Sequence, residues 1–167
     1  ISGQNPFSKG DMLVVTGGAR GVTAEVALSL AQSYQTNLLL LGRSPLPEAE
    51  PEWLHQLQDG AAIKKAIISK QAGDQNLTPR AVEEEFKRII ANREILANLK
   101  RIRVSGVKVE YQSVDVRDTG EVASIINTAR NTLGPVRGFV HGAGILSDRY
   151  IEDKTEDQFN RVFSTKI

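Results

Sequence analysis

Cysteine is absent from this 167-residue sequence and histidine occurs only twice. The first absence excludes a disulfide framework, and the two together leave too few soft ligands for a zinc-type centre, so no metal is expected. An excess of either charge is missing as well, since 21 basic and 20 acidic residues leave a net +1 at pH 7. No global field draws the chain to nucleic acid or to an anionic membrane, which favours a small-molecule ligand. No apolar run approaches the roughly 20 residues that cross a bilayer, and no basic stretch followed by an apolar one opens the chain. A cytoplasmic protein without a membrane partner is expected. The length suits one domain with a sizeable core. Ile1 and the short polar lead SGQNPFSKGD give the start the look of a piece cut from a longer polypeptide.

Met12 to Tyr34 is the organising stretch. Met12, Leu13, Val14 and Val15 form a short apolar run, which enters a turn carrying Gly17, Gly18 and Gly21. Val22, Val26, Leu28, Leu30 and Ala31 then recur at helical spacing. Strand, glycine turn and helix in that order favour a phosphate ligand, because glycines let it approach the main chain and the helix N-terminus attracts an anion. A tight turn that binds nothing is the plain alternative.

Asn37 to Gly42 (NLLLLG) is a continuous apolar run, expected as a strand buried on both faces of a parallel sheet and paired beside the first. Where an NAD-binding fold places an acid for the ribose 2′-hydroxyl, this chain has Gly42, Arg43 and Ser44. A guanidinium there can hold a 2′-phosphate that a carboxylate would repel, and Arg20 in the turn is a second cation. The cofactor expected is therefore NADP (NADPH) rather than NAD.

Residues 45–106 depart from a compact βαβ unit and are expected to form a long helical insertion. Within it, PLPEAEP is extended, Trp53, Leu54 and Leu57 make a short apolar face, and Ile63, Ala66 and Ile67 make another. Ala72 to Asn76 is expected as a polar break. Thr78 as N-cap and Pro79 at the first helical position open a helix of roughly 40 Å with a stripe of Val82, Phe86, Ile89, Ile90, Leu96 and Leu99. Acids at Glu83 to Glu85 and bases at Lys100, Arg101 and Arg103 suit its dipole, and Gly106 is its expected C-cap. So long a helix should pack its far end on something other than the sheet.

Lys108 to Asp115 (KVEYQSVD) is the third strand and ends in VDVRD. Asp118 and Glu121 have capping-box spacing for a helix over Thr119 to Leu133, which leaves Asp115 free to accept from an adenine amino group, with Val116 beside the ring. Val136 to His141 is the fourth strand, followed by Gly142, Ala143 and Gly144, where a flat ligand can lie. Thr155 and Gln158 open a last helix, which the sequence stops in at Ile167.

TGGARGVT (Thr16 to Thr23), LLGRS (Leu40 to Ser44), VDVRD (Val114 to Asp118), HGAG (His141 to Gly144) and STKI (Ser164 to Ile167) resemble, in order, the N-terminal part of the ketoreductase domain of modular polyketide and polyunsaturated fatty acid synthases, relatives of the short-chain dehydrogenase/reductases. The resemblance implies NADPH-dependent reduction of a 3-oxoacyl thioester on an acyl carrier protein. It places Gly17, Gly18, Ala19, Arg20, Gly21 and Val22 around the pyrophosphate and adenosine ribose. Arg43 and Ser44 would hold the 2′-phosphate, Asp115 and Val116 the adenine, and Gly142 and Ala143 the ribose near the nicotinamide. Lys166 matches the lysine that assists the catalytic tyrosine. The serine and tyrosine themselves are expected after a fifth strand, beyond Ile167, so the chain reads as residues 1–167 of a single, incomplete NADP-binding domain.

Thr23 stands where the family pattern has its last glycine, and looser helix–strand packing is expected there. Tyr150 and Lys154, with Ser147 upstream, mimic a YxxxK motif but fall before the helix that Thr155 caps and are not expected to be catalytic. The expected fold is α/β, a Rossmann-like doubly wound parallel sheet of four strands in the order 3-2-1-4 with the insertion between strands 2 and 3. Its fourth strand presents an edge expected to be covered by other synthase domains or a second chain. A non-catalytic NADP-binding or structural domain is the alternative function, and an NADP-dependent sugar epimerase or dehydratase a third.

Overall fold

The computed structural model describes residues 6–71 and 77–166, so the expected break at 72–76 and the terminal Ile167 lie outside the described residues. In chain order the elements are β1 (Met12–Thr16), α1 (Gly21–Tyr34), β2 (Asn37–Gly42), a 3-10 turn (Glu52–Leu54), α2 (Gly60–Lys70), α3 (Pro79–Val104), β3 (Val109–Ser113), α4 (Thr119–Leu133), β4 (Val136–His141), a second 3-10 turn (Ile151–Asp153) and α5 (Glu156–Lys166). No helix among them is long and apolar enough to cross a membrane.

The four strands form one parallel sheet in the order β3-β2-β1-β4, as the apolar runs imply. All of β1 is buried, and so are Leu38 to Leu41 in β2, which is why these strands show no polar alternation. Met12, Val14, Leu39 and Leu41 share one sheet face with Val114 and with Ala129 and Leu133 of α4. Among the described residues β4 pairs only with β1 and forms the sheet edge, with an irregularity in register between Met12 and Leu13.

Two helix faces differ from expectation. In α1 the buried residues are Ala24, Ala27, Leu28 and Ala31, while Val22 and Val26 are exposed. Three alanines and one leucine, not the valines, make the inward face. In α3, Ile90 is exposed, and Ile95 and Ile102 join Val82, Ile89 and Leu99 in the interior. Thr78 caps α3 through the Ala81 N–H at 3.1 Å, but its first turn carries no acid. Glu83, Glu84 and Glu85 stand further in and pair with Lys64, Arg80 and Arg88. The helix ends with the Ser105 and Gly106 N–H groups donating back to the Ile102 and Arg103 carbonyls.

The chain divides into two compact units, one made of the residues up to Leu46 and from Ala97 onward, the other of Pro47–Leu96. The second has its own core of Leu54, Ile63, Ile67, Val82 and Ile89, with Trp53, Leu57 and Phe86 packed against it. That is where the N-terminal part of α3 buries its stripe. Within this unit Arg93 ties the 3-10 segment down, bonding Glu50 at 2.6 Å and the Leu54 and Leu57 carbonyls at 2.8 and 2.7 Å. A guanidinium with three acceptors serves here as a staple for backbone that has no ladder of its own.

Candidate functional site

The turn between β1 and α1 is closed by glycines for two different reasons. Gly17 has φ +71°, and a Cβ on it would stand 2.9 Å from the Gly142 carbonyl oxygen; one on Gly18 would stand 2.6 Å from Val15 Cγ1. These two let the turn pack on the strands. Gly21, at φ +60°, is different, because nothing lies within 4 Å of where its Cβ would be. The space on that side is therefore open, and Val22 beside it is 82% exposed.

The start of α1 also differs from the other α-helix starts among the described residues. Asp59, Thr78, Asp118 and Thr155 each accept a first-turn N–H of α2, α3, α4 and α5. α1 has Arg20 at its N-cap, no side-chain cap bond and no acid in its first turn. Its end thus keeps its positive potential for an anion from outside.

Ala19 points the other way. It is buried, and its carbonyl accepts the buried Asn98 Nδ2 at 3.0 Å. Asn98 Oδ1 in turn accepts Arg101 Nη1, and Arg101 grips Glu25 of α1 with two bonds at 2.5 and 2.9 Å. The end of α3 thereby holds the turn from behind. This is a role the sequence reading missed, although an asparagine inside the apolar stripe beside Leu99 was its signal. Asn98→Ala should lower stability by about 1–2 kcal/mol in chemical denaturation, the cost of losing a buried amide bond. An unchanged midpoint would show that the bond contributes nothing.

Arg43 and Ser44 follow β2 with their backbone clamped by β3. Tyr111 donates its hydroxyl to the Ser44 carbonyl at 2.6 Å, and Ser113 donates to the Arg43 carbonyl at 3.2 Å. Gly42 makes room, since a Cβ there would stand 2.7 Å from the Tyr111 hydroxyl. Burial pushes the Tyr111 phenol up from its ordinary range, opposed in part by the nearby Arg20 cation. Arg20 and Arg43 are both exposed, so the guanidinium groups face solvent while the backbone beneath Arg43 is fixed.

Asp115 is not free, contrary to expectation. Asp118 does cap α4, its Oδ1 accepting the Glu121 N–H at 2.9 Å. Yet the Asp115 carboxylate accepts from Arg117 three times through the guanidinium, at 2.5 to 3.0 Å, and once through the backbone N–H at 3.0 Å. The backbone bond two residues on is an Asx turn, the pattern by which D-x-R was legible. The Arg117 side chain, then its backbone N–H, holds the Asp115 pKa down at about 2. A carboxylate whose pKa is depressed on folding contributes stability that is complete above its ordinary value and lost as pH falls through about 2. Both partners are well exposed, so solvent screening keeps that contribution small. In Arg117→Ala, Asp115 should titrate closer to 3.8 when followed by carboxyl carbon chemical shifts. Titration still near 2 would exclude Arg117 as the cause.

Beyond β4, Gly142 is enclosed. A Cβ on it would overlap Thr23 Cγ2, stand 2.5 Å from Thr23 Oγ1 and 2.9 Å from the Thr16 carbonyl oxygen. The looser packing expected at Thr23 is therefore absent, because the space a glycine would leave in α1 is supplied instead by the glycine of the facing loop. Lys166 ends α5, and its Nζ stands 3.4 Å from where a Cβ on Gly144 would be. It borders a groove of about 480 Å³ lined by Val14, Thr16, Phe139, His141 and Phe163 among others. Thr155 and Gln158 close a reciprocal capping box at the start of α5, with bonds of 3.3 and 3.2 Å. Tyr150 and Lys154 flank the second 3-10 turn, in the connection before α5.

Comparison with known proteins bears on this arrangement. The family model described as KR domain matches residues 12–167. The chain is 36% identical over 172 residues to a polyunsaturated fatty acid synthase subunit of Thraustochytrium sp., covering 98% of this chain and 6% of that protein. To polyketide synthase PksM of Bacillus subtilis it is 24% identical over 161 residues, 96% of this chain and 3% of the other. It thus spans a small fraction of the length of these curated relatives. An N-terminal ketoreductase from the macrolactin assembly line is similar in fold, with TM-score 0.64 at 23% identity over 96% of this chain and 24% of that one. A short-chain dehydrogenase from Mycobacterium paratuberculosis bound to NAD gives TM-score 0.60 at 15% identity over 94% and 45%.

Proposed function

This chain belongs to the KR domain family, and from that premise we propose that residues 1–167 are the NADP-binding part of a synthase ketoreductase, with 45–106 as its insertion. The reaction is NADPH-dependent reduction of a 3-oxoacyl thioester carried on an acyl carrier protein. The observation that carries the reading is the convergence, at the C-terminal ends of the parallel strands, of an uncapped α1 start, the clamped Arg43–Ser44 segment and the Lys166 ammonium. Ligands of open α/β sheets bind at that edge.

The residues fit a dinucleotide phosphate. The start of α1, with no side-chain cap and no acid in its first turn, suits a pyrophosphate, with Arg20 beside it. Arg43 and Ser44 are the group for a 2′-phosphate, and this pair is what makes the proposed cofactor NADPH rather than NADH. Asp115 takes the adenine amino group only by exchanging one of its Arg117 bonds, and Val116 offers backbone beside it. Gly142 and Ala143 border the ribose near the nicotinamide. NADPH, when bound, supplies the hydride. Lys166 supplies a fixed positive charge that lowers the pKa of a neighbouring phenol, so that the proton can be delivered near neutral pH. In the family pattern that phenol and its serine partner belong to a segment after a fifth strand, and a partner surface beside the β4 edge is part of the same reading.

The test is NADPH oxidation by the polypeptide that carries this chain, given a 3-oxoacyl thioester. Substrate-dependent oxidation with formation of the 3-hydroxyacyl product is expected. Tight NADPH binding with no turnover above background would leave a cofactor-binding domain without this activity.

A further inference from the structure

One polar group lining the groove bridges two elements and has no role in the motif reading. His141, the last residue of β4, bonds on both sides: Nδ1 lies 2.9 Å from Thr16 Oγ1 at the end of β1, and Nε2 lies 2.9 Å from the Thr165 carbonyl oxygen in α5. Thr16 Oγ1 also accepts the Ala143 N–H at 3.1 Å. These bonds have one consistent direction for a neutral ring. A carbonyl can only accept, so Nε2 carries the ring hydrogen and donates to Thr165; Nδ1 is then an acceptor and takes the Thr16 hydroxyl hydrogen. A lone pair on that hydroxyl takes the Ala143 N–H. The chain Ala143, Thr16, His141, Thr165 is satisfied throughout, with no conflict.

The geometry has a consequence for Lys166. Within α5, Thr165 is buried while its neighbours Ser164 and Lys166 are exposed. The Thr165 carbonyl has a partner outside its own helix, and that partner belongs to a strand of the sheet. The same ring, through Thr16, holds the amide of Ala143. One side chain therefore joins the lysine-bearing turn of α5 to the loop after β4.

We propose that His141 is a positioning residue, which sets the Lys166 ammonium against the strand ends by holding the Thr165 carbonyl; its effect on turnover rests on the ketoreductase reading above. A displacement of about 1 Å in such a group is enough to slow a reaction on the order of 10²-fold. Thr16 Oγ1 still accepts the Ala143 N–H when the ring is lost, so the loss of His141 acts on turnover more than on cofactor affinity.

The experiment compares His141→Phe and His141→Gln in the polypeptide that carries this chain, with Lys166→Ala as reference. Phenylalanine keeps the ring shape without either nitrogen; glutamine restores an acceptor and a donor flanking one carbon. Expected for His141→Phe are a roughly 10- to 100-fold fall in kcat, an NADPH Kd within about twofold of the original, and faster amide hydrogen exchange over Ser164 to Lys166. His141→Gln should recover most of the lost kcat and the slow exchange. Unchanged exchange in His141→Phe overturns the anchor, and so does unchanged kcat where Lys166→Ala is crippled. If Lys166→Ala itself leaves kcat intact, the role given to Lys166 falls instead, and the exchange data alone decide whether His141 holds the helix end.

Discussion

Gly142→Ala should destabilise the protein by about 3 kcal/mol, near the upper end of what overpacking costs, and Thr23→Gly should win back a large part of that loss. The added methyl would meet both γ atoms of Thr23 and, at 2.9 Å, the Thr16 carbonyl oxygen. Rotation of Thr23 about χ1 does not relieve the clash. Two of its three γ positions face Gly142, so every staggered rotamer leaves at least one heavy atom there. The Thr16 carbonyl cannot withdraw either, since it accepts the Gly142 N–H at 2.9 Å in the strand pairing. Thr23→Gly alone should lose about 1 kcal/mol from the extra freedom of a helical glycine. The double variant should therefore be more stable than the sum of the singles predicts, by a coupling energy of at least about 1 kcal/mol. Denaturant midpoints of the four proteins measure it, and strict additivity would mean that Thr23 is not what excludes a side chain at position 142.

Arg43→Glu should weaken NADPH binding about 10²- to 10³-fold while NADH binding changes only a few-fold. Loss of charge-assisted bonds to a 2′-phosphate accounts for about 1.5–3 kcal/mol. Repulsion by the new carboxylate adds about 1 kcal/mol near the surface, and each 1.4 kcal/mol is about tenfold. The substitution leaves the local backbone in place, because the carbonyls of Arg43 and Ser44 are what Ser113 and Tyr111 hold. An effect restricted to the phosphorylated cofactor is thus the signature. Equal losses for both nucleotides, read by fluorescence titration, would remove Arg43 from the 2′-phosphate site.

The strand order and all four strands were legible because β1 and β2 are unbroken apolar runs and their turns carry glycine or caps. What was not legible was which face of a helix goes inward. In α1 the branched side chains Val22 and Val26 outrank Ala24 and Ala27 in hydrophobicity, yet they are exposed while both alanines are buried. At the candidate site the positions along the chain were readable and the pairings between distant residues were not. Nothing in the spacing of Asn98 indicates that it reaches Ala19, or in that of His141 that it joins Thr16 to Thr165. At Asp115 the unread pairing was a near one, since Arg117, two residues on, holds its carboxylate in an Asx turn.

The pairing of β1 with β4 also sets an order of events during synthesis. Thr16 and His141 are 125 residues apart, so the two strand ends they join are made far apart in time. β1 can pair with β2 early, but its other edge waits until β4 has left the ribosome. The helical insertion lengthens that wait more than it weakens the product, because each doubling of a closing loop costs only about 0.6 kcal/mol, whereas non-local pairing dominates the folding rate. An exposed flank of MLVVT is an aggregation-prone edge for as long as it stays unpaired. A cofactor bound at the proposed site would not shorten that interval, since the loop at Gly142 and Ala143 follows β4; it would only trap the closed state once formed.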